Sequence, residues 1–367
     1  MKKRTIWDAD GHAMEDLADI AKRLRPEHQK MSRTGLGIFP QFDHLKIPPG
    51  NLPPGTFKWN VNAKEWMRFL DDVGIEASVL YPTFGLAFGR INNEDWAIDV
   101  ARAYNDWLYE SHLSKSKRLK GMGLLPMQEP EAAVTELRRI VKDLDMCGAM
   151  LNSTGLKGHL GSREYWPVYA EAEKLGVCLA VHGGAHSGLG FDHMNHNGAA
   201  HALGHPLGIA IGFVSMLSNG IFDRFPNLRL AFLEGGAGWL IMAMERLAGS
   251  FAAHPPADPR RLSMRLRKGE GVDDYITRQV SAGRLFIGCE GDEAGLGLGV
   301  KLAGAGAWVY SSDFPHEVTP ESCKHEIEEL LERDDLTDAD KTVILADNAK
   351  RLYTRSKVVT PFKPVGA

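Results

Sequence analysis

Short apolar runs recur along the chain, each followed by a Gly- or Pro-marked loop and then by a stretch of helical period. Eight runs read as strands: 4–8, 76–81, 119–125, 147–152, 177–182, 228–234, 285–289 and 307–312. Most are continuous Val, Ile, Leu and Ala runs, which suits parallel strands buried on both faces. Between them, Trp66, Phe69, Leu70 and Val73 fall at i, i+3, i+4 and i+7, one face of a helix. Ala97, Val100, Ala101, Tyr104 and Leu108 form a second stripe, and Val134, Leu137, Val141 and Leu144 a third. Thr337 followed by Asp340 fits an N-terminal cap before a helix at 343–352. Eight strands alternating with helices predict the α/β class and a (β/α)8 TIM barrel. A doubly wound open sheet is the competing arrangement. It would carry a glycine-rich phosphate loop after the first strand, where this chain has Asp8-Ala9-Asp10-Gly11-His12.

Two segments interrupt the alternation. Residues 28–62 hold Pro40, Pro48, Pro49, Pro53 and Pro54 with little periodicity, and are expected to form an inserted loop region after strand 1, a candidate lid. Residues 254–272 are rich in Pro and Arg and are expected to be a solvated surface loop. The barrel is expected to be a single domain over 1–353, with 354–367 as a C-terminal tail.

Of the 367 residues, 44% are hydrophobic and 25% charged, and the net charge is −4. That balance gives no whole-protein attraction to nucleic acid or to an anionic membrane surface, so neither partner is expected. No stretch approaches the roughly 20 apolar residues of a membrane span. The basic start, Met1-Lys2-Lys3-Arg4, runs into Asp8, Asp10, Glu15 and Asp16 where a signal peptide would be apolar, so a cytoplasmic protein is expected. Cys147, Cys178, Cys289 and Cys323 lie far apart in apolar or helical runs, as buried thiols rather than a disulfide framework. The 39 glycines cluster just after the apolar runs, where α/β enzymes keep their ligand loops.

In a TIM barrel, chemistry gathers at the C-terminal strand ends. There this chain has Asp8, Asp10 and His12 on strand 1, His182 on strand 5, Glu234 on strand 6 and Asp313 after strand 8. Carboxylates and imidazoles together suit a divalent metal. Alternate strand residues point the same way, so Asp10 and His12 can reach one ion, with Asp8 expected on the same side one step deeper. Taken singly, Asp10 could be a helix cap and His182 a core histidine. Six of the 14 histidines (182, 186, 193, 196, 201, 205) fall within 24 residues, a loop able to carry protons.

These residues resemble the amidohydrolase-related (amidohydrolase 2) family, in its aminocarboxymuconate-semialdehyde decarboxylase-like branch. The motifs run through nearly the whole chain: DADGHAME at 8–15, YNDWL at 104–108, RLKGMGLLP at 118–126, HGG at 182–184, His205-Pro206, FDRFPNLRLAFLEGGAGW at 222–239, SDFPH at 312–316 and NAKRLY at 348–353. The resemblance implies a divalent ion (Zn, Mn or Fe; one or two) held by Asp10, His12, His182 and Asp313. His-x-His or Glu-x-His is usual at the first pair. Asp10 makes the site harder and more anionic, which raises Mn²⁺ or Fe²⁺ relative to Zn²⁺. The resemblance also implies catalytic roles for Asp313 and His205, with Glu234 orienting His205 or a water, and a homodimer.

The first expectation is hydrolysis of a small amide, ester, lactone or thioacid-like substrate by metal-activated water, with Asp313 as proton acceptor. The alternative is non-oxidative decarboxylation of a hydroxybenzoate- or muconate-like acid, with Asp313 or His205 protonating carbon. Candidate substrate contacts are Trp59, Phe84, Arg90, Trp239 and His186, with Phe88 and Phe314 as further aromatic surface. Arg90 and Arg163 are candidate clamps for a second carboxylate.

Overall fold

The structure is a computed structural model and describes residues 4–33, 37–42, 61–184, 186 and 188–356. Eight parallel strands run in the order of the chain: β1 Trp7–Ala13, β2 Ala77–Pro82, β3 Leu119–Leu124, β4 Gly148–Asn152, β5 Cys178–His182, β6 Arg229–Leu233, β7 Leu285–Cys289 and β8 Trp308–Tyr310. Helices lie between them, and the architecture is a (β/α)8 TIM barrel. The seam between β8 and β1 is closed by residues just past β8. Asp313 N donates to Asp10 O (2.9 Å) and His12 N donates to Phe314 O (2.7 Å). The seam is therefore built from the candidate site itself.

The predicted helical stripes are buried. The helix Ala63–Val73 buries Trp66, Phe69 and Leu70, starts at an Asn62–Glu65 capping box and stops at Gly74. Its Phe69 stacks on Phe314 with ring centres 3.8 Å apart, pinning the segment after β8. In the helix Glu94–Ser111, the Asn105 amide donates to Leu124 O (3.0 Å) and accepts from Leu124 N (2.8 Å), fixing the end of β3. Thr337 and Asp340 do form a capping box, but the helix that it starts is Asp338–Thr342, followed by a π-turn and by the helix Asn348–Tyr353. All four cysteines are buried and free.

Three expectations need correction. The first strand does not end at residue 8. It runs through the acidic segment to Ala13, so Asp10 and His12 stand inside it. A register irregularity between Asp8 and Gly11 adds one residue, and a one-residue slip turns side chains to the other face. Asp8 therefore does not join Asp10 and His12. Its carboxylate accepts from Ser78 Oγ (2.5 Å), Ser312 N (2.8 Å) and Ser312 Oγ (2.9 Å), tying β1 to both neighbours. A Cβ on Gly11 would meet Trp66 at 2.4 Å, so the bulge requires glycine there. Second, the 22-residue helix Asn197–Ser218 is long and apolar enough to cross a membrane by length and composition. Its glycines, serines and histidines hide this from a search for unbroken apolar runs. It lies in the barrel wall, burying Ile209, Phe213, Met216 and Leu217. Third, residues 28–62 are not one loop: their described part contains most of the helix Pro26–Arg33. Residues 34–36, 43–60 and 357–367 lie outside the described residues, and with them most of the candidate lid and of the tail.

Candidate metal centre

The centre is assembled from two strands and from the turns that follow two others. β1 presents Asp10 and His12, both buried. His12 Nδ1 donates to Pro82 O (2.8 Å); a carbonyl can only accept, so Nε2 is left with its lone pair toward the barrel axis. β5 ends at His182, whose Nδ1 lies 2.9 Å from Gly183 O. Glu234 and Asp313 follow β6 and β8 at φ of 61° and 54°. Non-glycine residues rarely adopt that left-handed backbone, and its strain concentrates at functional sites.

The donor atoms converge. His12 Nε2 lies 3.7 Å from Asp10 Oδ1 and 3.3 Å from Asp313 Oδ1, and His182 Nε2 lies 3.4 Å from Asp10 Oδ2. Ligand bonds of 2.0–2.2 Å to a tetrahedral ion would place donors roughly 3.4 Å apart. Asp10 Oδ1, His12 Nε2 and His182 Nε2 are buried yet make no hydrogen bond, and Asp313 Oδ1 beside them has the His316 imidazole at 2.7 Å. Buried polar atoms are normally satisfied, so three converging exceptions fit a bound cation. Asp10, His12 and His182 form one group able to hold a metal ion; His12, Glu234, Asp313 and His316 form a second that shares His12.

The electrostatics agree. Burial raises the Asp10 carboxyl to about 7, although His182 works against it. Burial opposes charge on His182, yet Glu234 and Asp10 hold its pKa at about 10. Burial, His316 and His182 push His12 well below its ordinary value. Glu234 is held well below the carboxylate range despite burial, by His205 and His182. Asp10, His182 and Glu234 thus perturb one another strongly, and a cation entering here would take the place of the protons on Asp10 and His182.

Around this cluster, His205 from the helix Asn197–Ser218 sets Nδ1 3.0 Å from Glu234 Oε2. A Cβ on Gly183 would come within 2.1 Å of that ring, so the HGG turn admits His205 only with glycine at 183. His186 is buried against His205 and Phe191. Glu15 accepts from the N–H groups of Thr83, Phe84 and Gly85, each at 3.0 Å, and so fixes the turn carrying Phe84.

Trp239 packs in the core against Phe213 and Phe232. Arg90 Nη1 donates to Gln41 O (3.2 Å). Arg163 lies over the Trp166 ring, not at the cluster. Trp59 is outside the described residues. The sequence pattern passes over His316. Its Nδ1 is 2.7 Å from Asp313 Oδ1, its Nε2 is 3.1 Å from Thr83 Oγ1, and its ring stacks on His12 at 4.1 Å. Burial opposes its charge, but Asp313 holds its pKa at about 9. Its place in SDFPH, three residues after Asp313, is the only signal in the sequence.

The chain is 30% identical over 197 residues to the 2-amino-3-carboxymuconate-6-semialdehyde decarboxylase of Dictyostelium discoideum, covering 52% of this chain but only about half (53%) of that protein. It is 27% identical over 340 residues to a γ-resorcylate decarboxylase of Rhodococcus jostii, covering 85% of this chain and 96% of that protein. A solved dihydroxybenzoic acid decarboxylase from a Polaromonas species, with bound manganese and an inhibitor, shares the fold. The TM-score is 0.65 at 22% identity, covering 96% of this chain and 97% of that one. The family model described as amidohydrolase matches residues 76–355, from β2 to the final helix. With that match across most of a barrel whose strand ends gather carboxylates and imidazoles, the chain belongs to the amidohydrolase family of enzymes.

Proposed function

We propose that this enzyme is a metal-dependent non-oxidative decarboxylase of a hydroxylated aromatic or muconate-like carboxylic acid, with Asp10, His12, His182 and Asp313 as metal ligands. The observation that carries the reading is the Asp313–His316 pair, a carboxylate 2.7 Å from an imidazole that keeps its proton, at the rim of the donor cluster. Decarboxylation must deliver a proton to the carbon that loses CO2, and this pair is a proton source in the right place. The names of the relatives favour the same reaction over the hydrolysis that the ligand types alone would admit.

Manganese, iron or zinc bound there supplies positive charge for the substrate's carboxylate and an adjacent oxygen. His12 and His182 are oriented for such a ligand role by the carbonyls at their Nδ1 atoms. Asp313 takes a proton from His316 and passes it to the substrate carbon; the carbon–carboxyl bond breaks and CO2 leaves. Thr83 holds the far nitrogen of His316, so the ring keeps its aim. Glu234 fixes His205 at 3.0 Å, where its imidazole can bind a substrate hydroxyl. Phe84, on the turn held by Glu15, offers a face for a ring. The hydrolytic alternative would use the same Asp313 as acceptor of a water proton.

The test is incubation of the manganese-loaded enzyme with 2,6-dihydroxybenzoate and related hydroxybenzoates in D2O. CO2 release with one deuteron at the vacated carbon supports decarboxylation. Turnover of esters or lactones without CO2 release from any of these acids replaces it with hydrolysis. We also expect a cytoplasmic homodimer, to be checked by light scattering at micromolar concentration. In support, the helix Asn197–Ser218 has no Asp, Glu, Lys or Arg and exposes Leu203, Leu207 and Ile211.

A further inference from the structure

The Pro- and Arg-rich segment at 254–272 belongs to no part of the metal centre, but it meets another basic segment at the opposite end of the barrel. The helix Ile221–Arg224 ends just before β6, and there Arg224 lies over Trp166, with its guanidinium carbon 3.9 Å from the ring centre. Arg163 approaches the same ring at 5.3 Å. Arg224 also forms the wall between two adjoining clefts. One, of about 140 Å³, is lined by Arg224, Arg261, Arg265 and Ser263; the other by Arg163, Trp166 and Arg224.

Of these four arginines Arg224 is half-buried and the other three are exposed, whereas the partly buried arginines elsewhere have oxygen partners. Arg139 pairs with Asp106 and Glu136, Arg278 with Glu270, and Arg333 with Asp335. Among the described residues, Arg163, Arg224, Arg261 and Arg265 have no carboxylate within ion-pair distance, and the buried Nε of Arg224 makes no hydrogen bond. The local acids are committed to neutral donors. Asp223 accepts from Tyr275 OH (2.7 Å) and Arg265 N (2.9 Å), and Asp258 accepts from Leu262 N (2.8 Å) and Ser263 N (2.6 Å). Glu164, exposed at the lip of the second cleft, pairs with neither guanidinium. Burial, then Arg265 and Arg163, lower the pKa of Arg224, the sign of a positive neighbourhood.

We propose that these clefts form a binding site for a phosphate-bearing small molecule, remote from the metal centre, with Arg224 as its central ligand and Arg261, Arg265 and Arg163 around it. A guanidinium resting over an indole ring still has its N–H groups to offer to a planar pair of oxygens. Several such groups around one wall suit the three oxygens and near-double charge of a phosphate better than a single carboxylate. The ligand class does not depend on the reaction at the metal centre.

The test is thermal unfolding of the metal-loaded enzyme with inorganic phosphate, pyrophosphate or acetate, against sodium chloride of matched ionic strength. A saturable rise in midpoint of about 2 °C or more by roughly 10 mM pyrophosphate is expected, with acetate and chloride without effect. Arg224→Gln should abolish the rise and leave turnover unchanged. The exposed pair Arg261→Gln/Arg265→Gln should reduce apparent affinity at least about tenfold, a readout that remains if Arg224→Gln does not fold. A response to inorganic phosphate as well as pyrophosphate points to the free anion; a response to pyrophosphate alone points to a larger phosphorylated molecule. No saturable rise with either, an equal rise with acetate or chloride, or an undiminished rise in the double variant overturns the proposal.

Discussion

Asp313→Asn separates the proton-transfer role of Asp313 from its structural one. Asparagine has the same shape and tolerates the left-handed backbone at 313, whereas alanine there would add about 1 kcal/mol of strain. The backbone bond from residue 313 to Asp10 O, which closes the barrel seam, survives. What is lost is the charge, the proton-accepting oxygen and the charge-assisted contact with His316 at 2.7 Å. Such a contact is worth about 1.5–3 kcal/mol, a factor of roughly 10–150 in rate if it holds only in the transition state. Loss of a positioned proton carrier by itself costs about 10²–10⁴. Turnover should therefore fall at least ~100-fold at saturating metal. The amide oxygen can still face an ion, so metal affinity should weaken but remain measurable, and the thermal midpoint should stay within about 3 °C. The assay is CO2 release at several manganese concentrations, with metal content by mass spectrometry on the same samples. Turnover within about tenfold of the parent at saturating metal would remove Asp313 from proton transfer and leave it as a ligand alone.

Gently purified protein should carry one or two equivalents of Mn, Fe or Zn, and Asp10→Ala/His182→Ala should carry none. Retention of metal in that double variant would refute the ligand set. Gly183→Ala should displace the His205 ring from Glu234 and lower kcat at least about tenfold with metal content unchanged, because its Cβ would lie 2.1 Å from Nδ1. An unchanged kcat would mean that His205 has no part in the reaction. Glu326 is raised to about 8, first by burial and then by Glu290 and Asp292, against a bond from Gly291 N. Between its unfolded value near 4.5 and the folded value, the folded chain holds a proton that the unfolded chain has lost. Its contribution to stability must therefore decline as pH rises from about 4.5 to about 8. Glu326→Gln should lessen the fall in thermal midpoint between those pH values, and an identical fall in both proteins would refute that reasoning.

Seven of the eight strands are legible in the sequence to within about two residues, because a parallel strand buried on both faces is a continuous apolar run and little else imitates it. β1 breaks that rule. Its Asp8, Asp10 and His12 are polar residues inside a fully buried strand, and each is tolerated for a reason that no linear pattern displays. Asp8 is satisfied by Ser78 and Ser312, the latter 304 positions away. Asp10 and His12 belong to the convergent donors, and the bulge at 8–11 separates the two sets. The position of the candidate ligands is legible because four strand ends repeat the same chemical type. The partners of those ligands are not. His316 acquires its place only when the turn after β8 folds back over His12, and Glu15 acts through backbone N–H groups that have no sequence signature. Arginine shows the same limit from the other side: the charge and reach of Arg163 fit a substrate clamp, but only the fold reveals that it lies over Trp166, beside Arg224 on the same ring. Sequence pattern thus fixes which residues could do chemistry, while the long-range contacts decide which of them share a site.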